Sequence, residues 1–86
     1  MQLEENFNEH VNRMRSKETP TSDQDLLILY GLYKQVTIGN CNIVQPWTVQ
    51  IEQYARWKAW YGIYGMNREM AMRQYIEKVD ELTRET

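Results

Sequence analysis

Eighty-six residues are enough for one domain, near the lower limit of what folds without a disulfide or metal staple. The chain is 42% hydrophobic with three Trp and six Tyr, so a few large aromatic side chains can fill a compact core. A net charge of −2 supplies no general attraction to nucleic acid or an acidic membrane, no apolar run approaches the roughly 18 residues of a membrane span, and a single cysteine excludes an internal disulfide or a thiolate zinc site.

The first segment repeats Leu3, Phe7, Val11 and Met14 at steps of three and four, an amphipathic helical pattern that ends before Pro20. Its start, MQLEENFNEH, is acidic where a targeting peptide is basic or apolar. The final TRET matches no retention or peroxisomal tag, so a cytoplasmic location is expected. His10, beside Glu9, is expected on the solvated face. Arg13 and Arg15 late in the segment favour the helix dipole, and one of them can also lean over a bound anion.

Ser22 reads as an N-cap with Asp25 as its capping-box partner. The second helix then presents Leu26, Leu29, Tyr30 and Tyr33 along one face and should stop near Gly39-Asn40. The stretch Asn40 to Thr48 contains Pro46 and reads as a loop, apolar enough through Ile43, Val44 and Trp47 to be expected to pack on the body. Thr48 is placed as the cap of a third helix from Val49 to Tyr64, which carries Tyr54, Trp57, Trp60 and Tyr61 and ends at Gly65. Asn67 caps a fourth, with Met72, Tyr75, Ile76, Val79 and Leu82 at helical spacing and Met66 positioned to staple onto Ala71. No segment reads as a strand. The expected architecture is all-α, a four-helix bundle forming a single domain over residues 1–86.

The chemistry concentrates in LYGLYKQVTIGNCN, residues 29–42. Tyr30, Tyr33 and Lys34 stand at i, i+3 and i+4, so two aromatic faces and a cation share one side of a helix. A nucleotide carrying a phosphate beside its base suits such a surface. Lys34 can hold a phosphate with help from the Tyr30 hydroxyl, or it can be an ordinary solvated lysine. Tyr33 can stack on a base or pack in the core. Arg56, in ARWKAW, offers a planar bidentate contact to phosphate or a surface ion pair with Glu52 one turn earlier. Trp57 and Trp60 read as packing aromatics, and Tyr75 falls on the apolar stripe of the fourth helix. One His and one Cys far apart make no nucleophile and base pair, and no metal-ligand cluster or phosphate-cradling glycine loop stands out. The chain is therefore expected to be no enzyme, with no cofactor and no metal.

Three blocks, LYGLYKQVTIGN, ARWKAW and GMNREMAMRQYIEKVDEL, together span about residues 26 to 82. In that order they resemble the acyl-CoA-binding protein family. The resemblance implies an up-down-down-up bundle that binds medium- to long-chain fatty acyl-CoA esters one to one without transforming them. It implies an intracellular carrier and buffer in lipid metabolism that is a monomer, meets acyl-CoA-using enzymes transiently, binds no nucleic acid and inserts in no membrane. By the same resemblance Arg15, Tyr30, Gly31, Leu32, Tyr33, Lys34, Arg56 and Tyr75 fall in the headgroup-binding stretch, and Phe7, Val11, Leu26 and Leu27 line the acyl-chain groove. The chain departs from the family at Glu52, where a lysine is usual, at Arg56 and Tyr54, which replace a lysine and a basic residue, and at Trp47, where a glycine is common. An alternative is a helical adaptor that binds a protein segment in its aromatic groove. Single-stranded RNA binding is disfavoured by the net charge.

Overall fold

Four helices form in the computed structural model, which describes residues 2–84: α1 (Gln2–Ser16), α2 (Asp23–Thr37), α3 (Ile51–Tyr61) and α4 (Arg68–Thr83). Met1, Glu85 and Thr86, and with them the end of the TRET sequence, lie outside the described residues. Two caps act as expected. Ser22 Oγ accepts the Asp25 amide at 3.1 Å and Asn67 Oδ1 accepts the Met70 amide at 2.7 Å. The Asp25 carboxylate meets Lys78 Nζ of α4 at 2.9 Å. Positive φ at Gly39 (109°) and Gly65 (92°) lets the chain turn after α2 and before α4.

The third helix is shorter than its aromatic spacing suggests. Its N-cap is Gln50, not Thr48, and no side chain completes that cap. At its other end Ile63 N bonds Trp60 O at 3.2 Å and Tyr64 N bonds Tyr61 O at 3.0 Å. These tighter i to i+3 turns keep tyrosines at near-helical spacing beyond the helix itself. The preceding loop does not fold onto the body. Val44 is 90% and Trp47 79% exposed.

Cross-helix contacts fix the directions. Arg68 at the start of α4 meets Glu4 at the start of α1 at 2.8 Å, and Asp80 near the end of α4 meets His10 and Arg13, so α1 and α4 run parallel. Arg68 Nε donates to Val36 O at the end of α2 at 3.1 Å, while Asp25 at its start pairs with Lys78, so α2 runs against α4. Helix α3 follows α2: the start of α2 faces Ile51, Gly31 abuts Ala59, and Trp60 Nε1 donates to Gly39 O at 2.8 Å. The result is up-down-down-up.

Phe7, Leu29, Leu32, Val36, Ala71, Met72, Tyr75 and Val79 make the central core, drawn from α1, α2 and α4. Beneath α2, Trp60 is 1% exposed. Gln35, also buried, donates through Nε2 to Asn40 Oδ1 and Met66 O, both at 2.8 Å. Asn40 Oδ1 also accepts Gly65 N at 2.7 Å. This clamp binds the end of α2 to the turn before α4. His10 is not on a solvated face. It lies three residues after Phe7 on the same stripe and is buried, with Nδ1 2.7 Å from Asn6 O and Nε2 2.8 Å from Asp80 Oδ1. Buried imidazole nitrogens need such partners.

The bond to His10, reinforced by Arg13, holds the Asp80 carboxyl below the usual carboxylate range against the opposing effect of burial. The Lys78 ammonium, and after it the Ser22 hydroxyl, do the same for Asp25. A carboxylate depressed in the folded state contributes stability above its unfolded value of about 3.9, and this is lost as pH falls through the lower folded value. Urea midpoints should therefore decline below about pH 4. Asp80→Asn should lower the neutral-pH midpoint and flatten that acid decline, and parallel curves for the two proteins would remove Asp80 from the account.

Candidate functional site

Tyr30 and Lys34 stand one turn apart on the side of α2 that faces α3. Lys34 Nζ lies 5.7 Å from the Tyr30 ring centroid and 5.6 Å from that of Trp60. A cation held over two aromatic faces is positioned without being neutralised, so its charge is available to an anion. Trp60 can serve as this floor because it is buried and its indole N–H is satisfied by Gly39 O.

Beside this cation runs a groove of about 600 Å³ between the first halves of α2 and α3. Asp23, Leu26, Leu27 and Tyr30 form one wall and Ile51, Glu52, Ala55 and Arg56 the other. Its lining is aliphatic along the middle, with Arg56 and Tyr30 toward the Lys34 end. Arg56 Nη2 is 3.6 Å from Glu52 Oε2, an exposed i,i+4 pair. The surface ion pair and the place on the groove wall thus coexist for Arg56.

A second cluster lies on the adjoining face of α2. Phe7, Tyr33 and Tyr75 form a triangle with ring centroids 5.0 to 6.4 Å apart. Burial pushes the Tyr75 hydroxyl above the ordinary tyrosine range; Tyr33 adds to this and the charge of Arg15 opposes it. Tyr75 is therefore a neutral phenol at physiological pH, and Arg15, exposed at the end of α1, lies near enough for its charge to be felt.

Several expected site residues have other places. Phe7 is 3% exposed inside the aromatic triangle, and Val11 packs against the core, so neither faces the α2–α3 groove that Leu26 and Leu27 line. Their helix packs on α4, not α3. Leu32 is likewise a core residue. Gly31 is covered by the α3 backbone: a Cβ there would come within 2.6 Å of Ala59 O, so glycine is what lets the two helices approach. Ile51 and Ala55, which the sequence reading did not name, share the Glu52–Arg56 side of α3 at i,i+4 spacing, and that spacing was the available signal. Among the described residues no group of three or more His, Cys, Asp or Glu is placed to hold a metal ion. No helix among them is long and apolar enough to cross a membrane.

Residues 4–79 match the family model described as Acyl CoA binding protein. The chain is 40% identical over 82 residues to an acyl-CoA-binding protein of Gossypium hirsutum, covering 95% of this chain and 92% of that one. It is 41% identical over 85 residues to acyl-CoA-binding domain-containing protein 3 of Oryza sativa subsp. japonica, covering 99% of this chain and 55% of the relative, so it spans about half of that protein's length. The crystal structure of Oryza sativa acyl-CoA-binding protein 2 superposes with a TM-score of 0.90 at 36% identity, over 95% of this chain and 89% of that one.

Core and groove residues should separate in stability. Phe7→Ala is expected to cost about 3–5 kcal/mol in chemical denaturation, as for a buried aromatic. Leu26→Ala, at a side chain 47% exposed, should leave the midpoint nearly unchanged. A Phe7→Ala variant as stable as the parent would return Phe7 to the groove.

Proposed function

The chain belongs to the acyl-CoA-binding protein family, and we propose that it binds medium- to long-chain fatty acyl-CoA one to one, as a carrier and buffer. The observation that carries the site assignment is the alignment of Lys34, Tyr30 and Arg56 at one end of an aliphatic groove. An acyl-CoA combines a polyanionic nucleotide with a long apolar chain, and this surface offers a complement to each. In this reading Lys34 and Arg56 take phosphate oxygens and the Tyr30 hydroxyl donates to the same group. Tyr33, Tyr75 and Arg15 form the neighbouring part of the headgroup surface, and Leu26, Leu27, Ile51 and Ala55 shield the chain. The thioester is held, not cleaved: the histidine is engaged in the α1–α4 contact and is remote in sequence from the groove. A monomer located in the cytoplasm, handing its ligand to acyl-CoA-using enzymes, completes the proposal.

Magnitudes favour a shared contribution from both ends of the ligand. A buried methylene is worth about 0.8 kcal/mol, so a 14-carbon chain offers roughly 10 kcal/mol before the costs of ordering. The headgroup then provides selectivity, because a free fatty acid fills the groove but leaves the cations without phosphate. Isothermal titration with palmitoyl-CoA should give saturable one-to-one binding, far tighter than CoA or palmitate alone. Lys34→Ala and Arg56→Ala should each weaken it by about 1–3 kcal/mol with the thermal midpoint little changed. Equal affinity for palmitate and palmitoyl-CoA would contradict the proposal.

Glu52 competes with the ligand for Arg56. An exposed pair is worth about 0–1 kcal/mol, so Glu52→Gln should tighten palmitoyl-CoA binding by up to about fivefold at low ionic strength, with the gain shrinking as salt is added. Weaker binding by this variant would show that Glu52 holds Arg56 in its productive place.

A further inference from the structure

Residues 35–51 contain no Asp, Glu, Lys, Arg or His, in a chain where 26% of residues are Asp, Glu, Lys or Arg. Within that stretch the loop between α2 and α3 turns its largest apolar side chains outward, with Val44 90%, Val49 83% and Trp47 79% exposed, and Ile51, the first residue of α3, is 76% exposed. A row of isolated exposed apolar residues is ordinary, but a concentration on one uncharged loop marks an interaction surface. The loop is also anchored. Trp57 Nε1 donates to Ile43 O at 3.3 Å, and the Trp57 ring stacks on Tyr61 at 4.9 Å and on Tyr54 at 5.9 Å. A tryptophan and a row of amphipathic rings therefore stand beside the protruding aliphatics.

We propose that this loop is a docking tip for the interface of an electrically neutral lipid bilayer, where the groove collects and releases its ligand. The inference rests on the acyl-CoA reading of the groove. Two features select a bilayer. The first is charge: the tip has none and its polar members are amides and hydroxyls, so it suits a zwitterionic headgroup layer and offers no cation to an anionic one. Aliphatic side chains next to Trp and Tyr are the residue types that settle at the boundary of headgroups and acyl chains. The second is continuity. Ile51 ends the uncharged stretch and also lines the groove with Leu26 and Ala55, so the tip and the groove share an apolar residue through which an acyl chain leaving the bilayer can enter. Penetration is shallow, because the tip is a short loop whose backbone groups need water or headgroups as partners.

The test is flotation of the ligand-free protein with phosphatidylcholine vesicles, comparing the parent with a Val44→Ser, Trp47→Ser double variant. Palmitoyl-CoA affinity is measured for both in vesicle-free solution. The parent should float equally at about 0.15 M and 0.5 M salt, where screening distances differ. The variant's vesicle partitioning should fall about tenfold or more, since it removes the indole and the most exposed aliphatic side chain of the tip. Its affinity for palmitoyl-CoA in solution should stay within about twofold, because neither residue lines the groove. Binding of palmitoyl-CoA by a parent that never floats would overturn docking and leave the groove reading intact. Loop-dependent flotation by a parent that binds no palmitoyl-CoA would do the reverse. Flotation that needs phosphatidylserine and vanishes in salt would overturn the neutral-bilayer assignment. Sedimentation velocity showing a dimer dissolved by the double variant would assign the loop to a second copy of the chain instead.

Discussion

Helix α3 packs on α2 and, among the described helices, on no other. The spacing of that one contact is set at Gly31, where the α3 backbone comes so close that a Cβ would lie 2.6 Å from Ala59 O and 3.3 Å from Trp60 N. A methyl group there has to push backbone, and backbone does not yield as a flexible side chain does. The close approach seats Trp60 under α2, lets its indole reach Gly39 O and leaves its face beneath Lys34. It also sets the separation of the groove walls. Were α3 displaced outward, Lys34 would lose one of its two aromatic supports and Arg56 would move away from Tyr30. A glycine with no functional group thus sets the separation of Lys34 on α2 from Arg56 on α3.

The remaining frame makes α2 a stable platform. One face carries Leu26, Tyr30 and Lys34 toward α3, while Leu29, Leu32 and Val36 enter the core against α4. Tyr33 lies between these faces, with its ring near Phe7 of α1 and Tyr75 of α4, so the proposed headgroup surface depends on three helices remaining in register. The exposed pairs Glu4–Arg68 and Glu9–Arg13 contribute little individually. His10 differs, because its ring is buried and both nitrogens have oxygen partners, so losing Asp80 leaves a polar group stranded in the interior. The bond therefore specifies the parallel alignment of α1 on α4 as well as adding stability.

Much of the fold was legible because helices announce themselves through apolar spacing and caps, and Ser22 and Asn67 were readable for that reason. The limits of α3 were not, since the tyrosine spacing continues through i to i+3 turns that a sequence pattern does not distinguish from a helix. His10 shows a different limit. Its place three residues after Phe7 put it on the buried stripe, but the partner that makes burial tolerable is 70 positions away. The shared face of Tyr30 and Lys34 could be read from local spacing, whereas the sequence left Arg56 open between ion pair and groove wall, and the structure gives it both. Phe7 and Leu32 could not, because apolar residues at the same spacing serve equally as core or as groove wall, and only packing decides. The exposed loop is the converse case: its apolar content suggested packing onto the body, whereas the neighbouring Trp57 holds the Ile43 carbonyl and leaves the side chains outside.

The groove is polarised, and this orients any amphiphile within it. Because α2 and α3 run parallel, both N-termini lie at one end, where Asp23 and Ile51 line the walls; Tyr30, Arg56 and Lys34 lie toward the other, and the Glu52 carboxylate lies 3.6 Å from the Arg56 guanidinium. Net charge is a poor guide to such a site, since at physiological salt the screening length is about 8 Å and a phosphate senses only its immediate neighbours. In the proposed reading a polyanionic head is drawn to the Lys34 end and repelled by Asp23, while an uncharged chain follows Leu26, Leu27 and Ile51. Reversed insertion would put phosphates beside the Asp23 carboxylate and leave the aromatic-backed lysine facing hydrocarbon. In the proposed reading, Asp23 also disfavours a chain that ends in a second carboxylate. The Asp23 end is also where Ile51 joins groove to loop, so in the proposed orientation the tail of the ligand and the apolar tip lie on the same side.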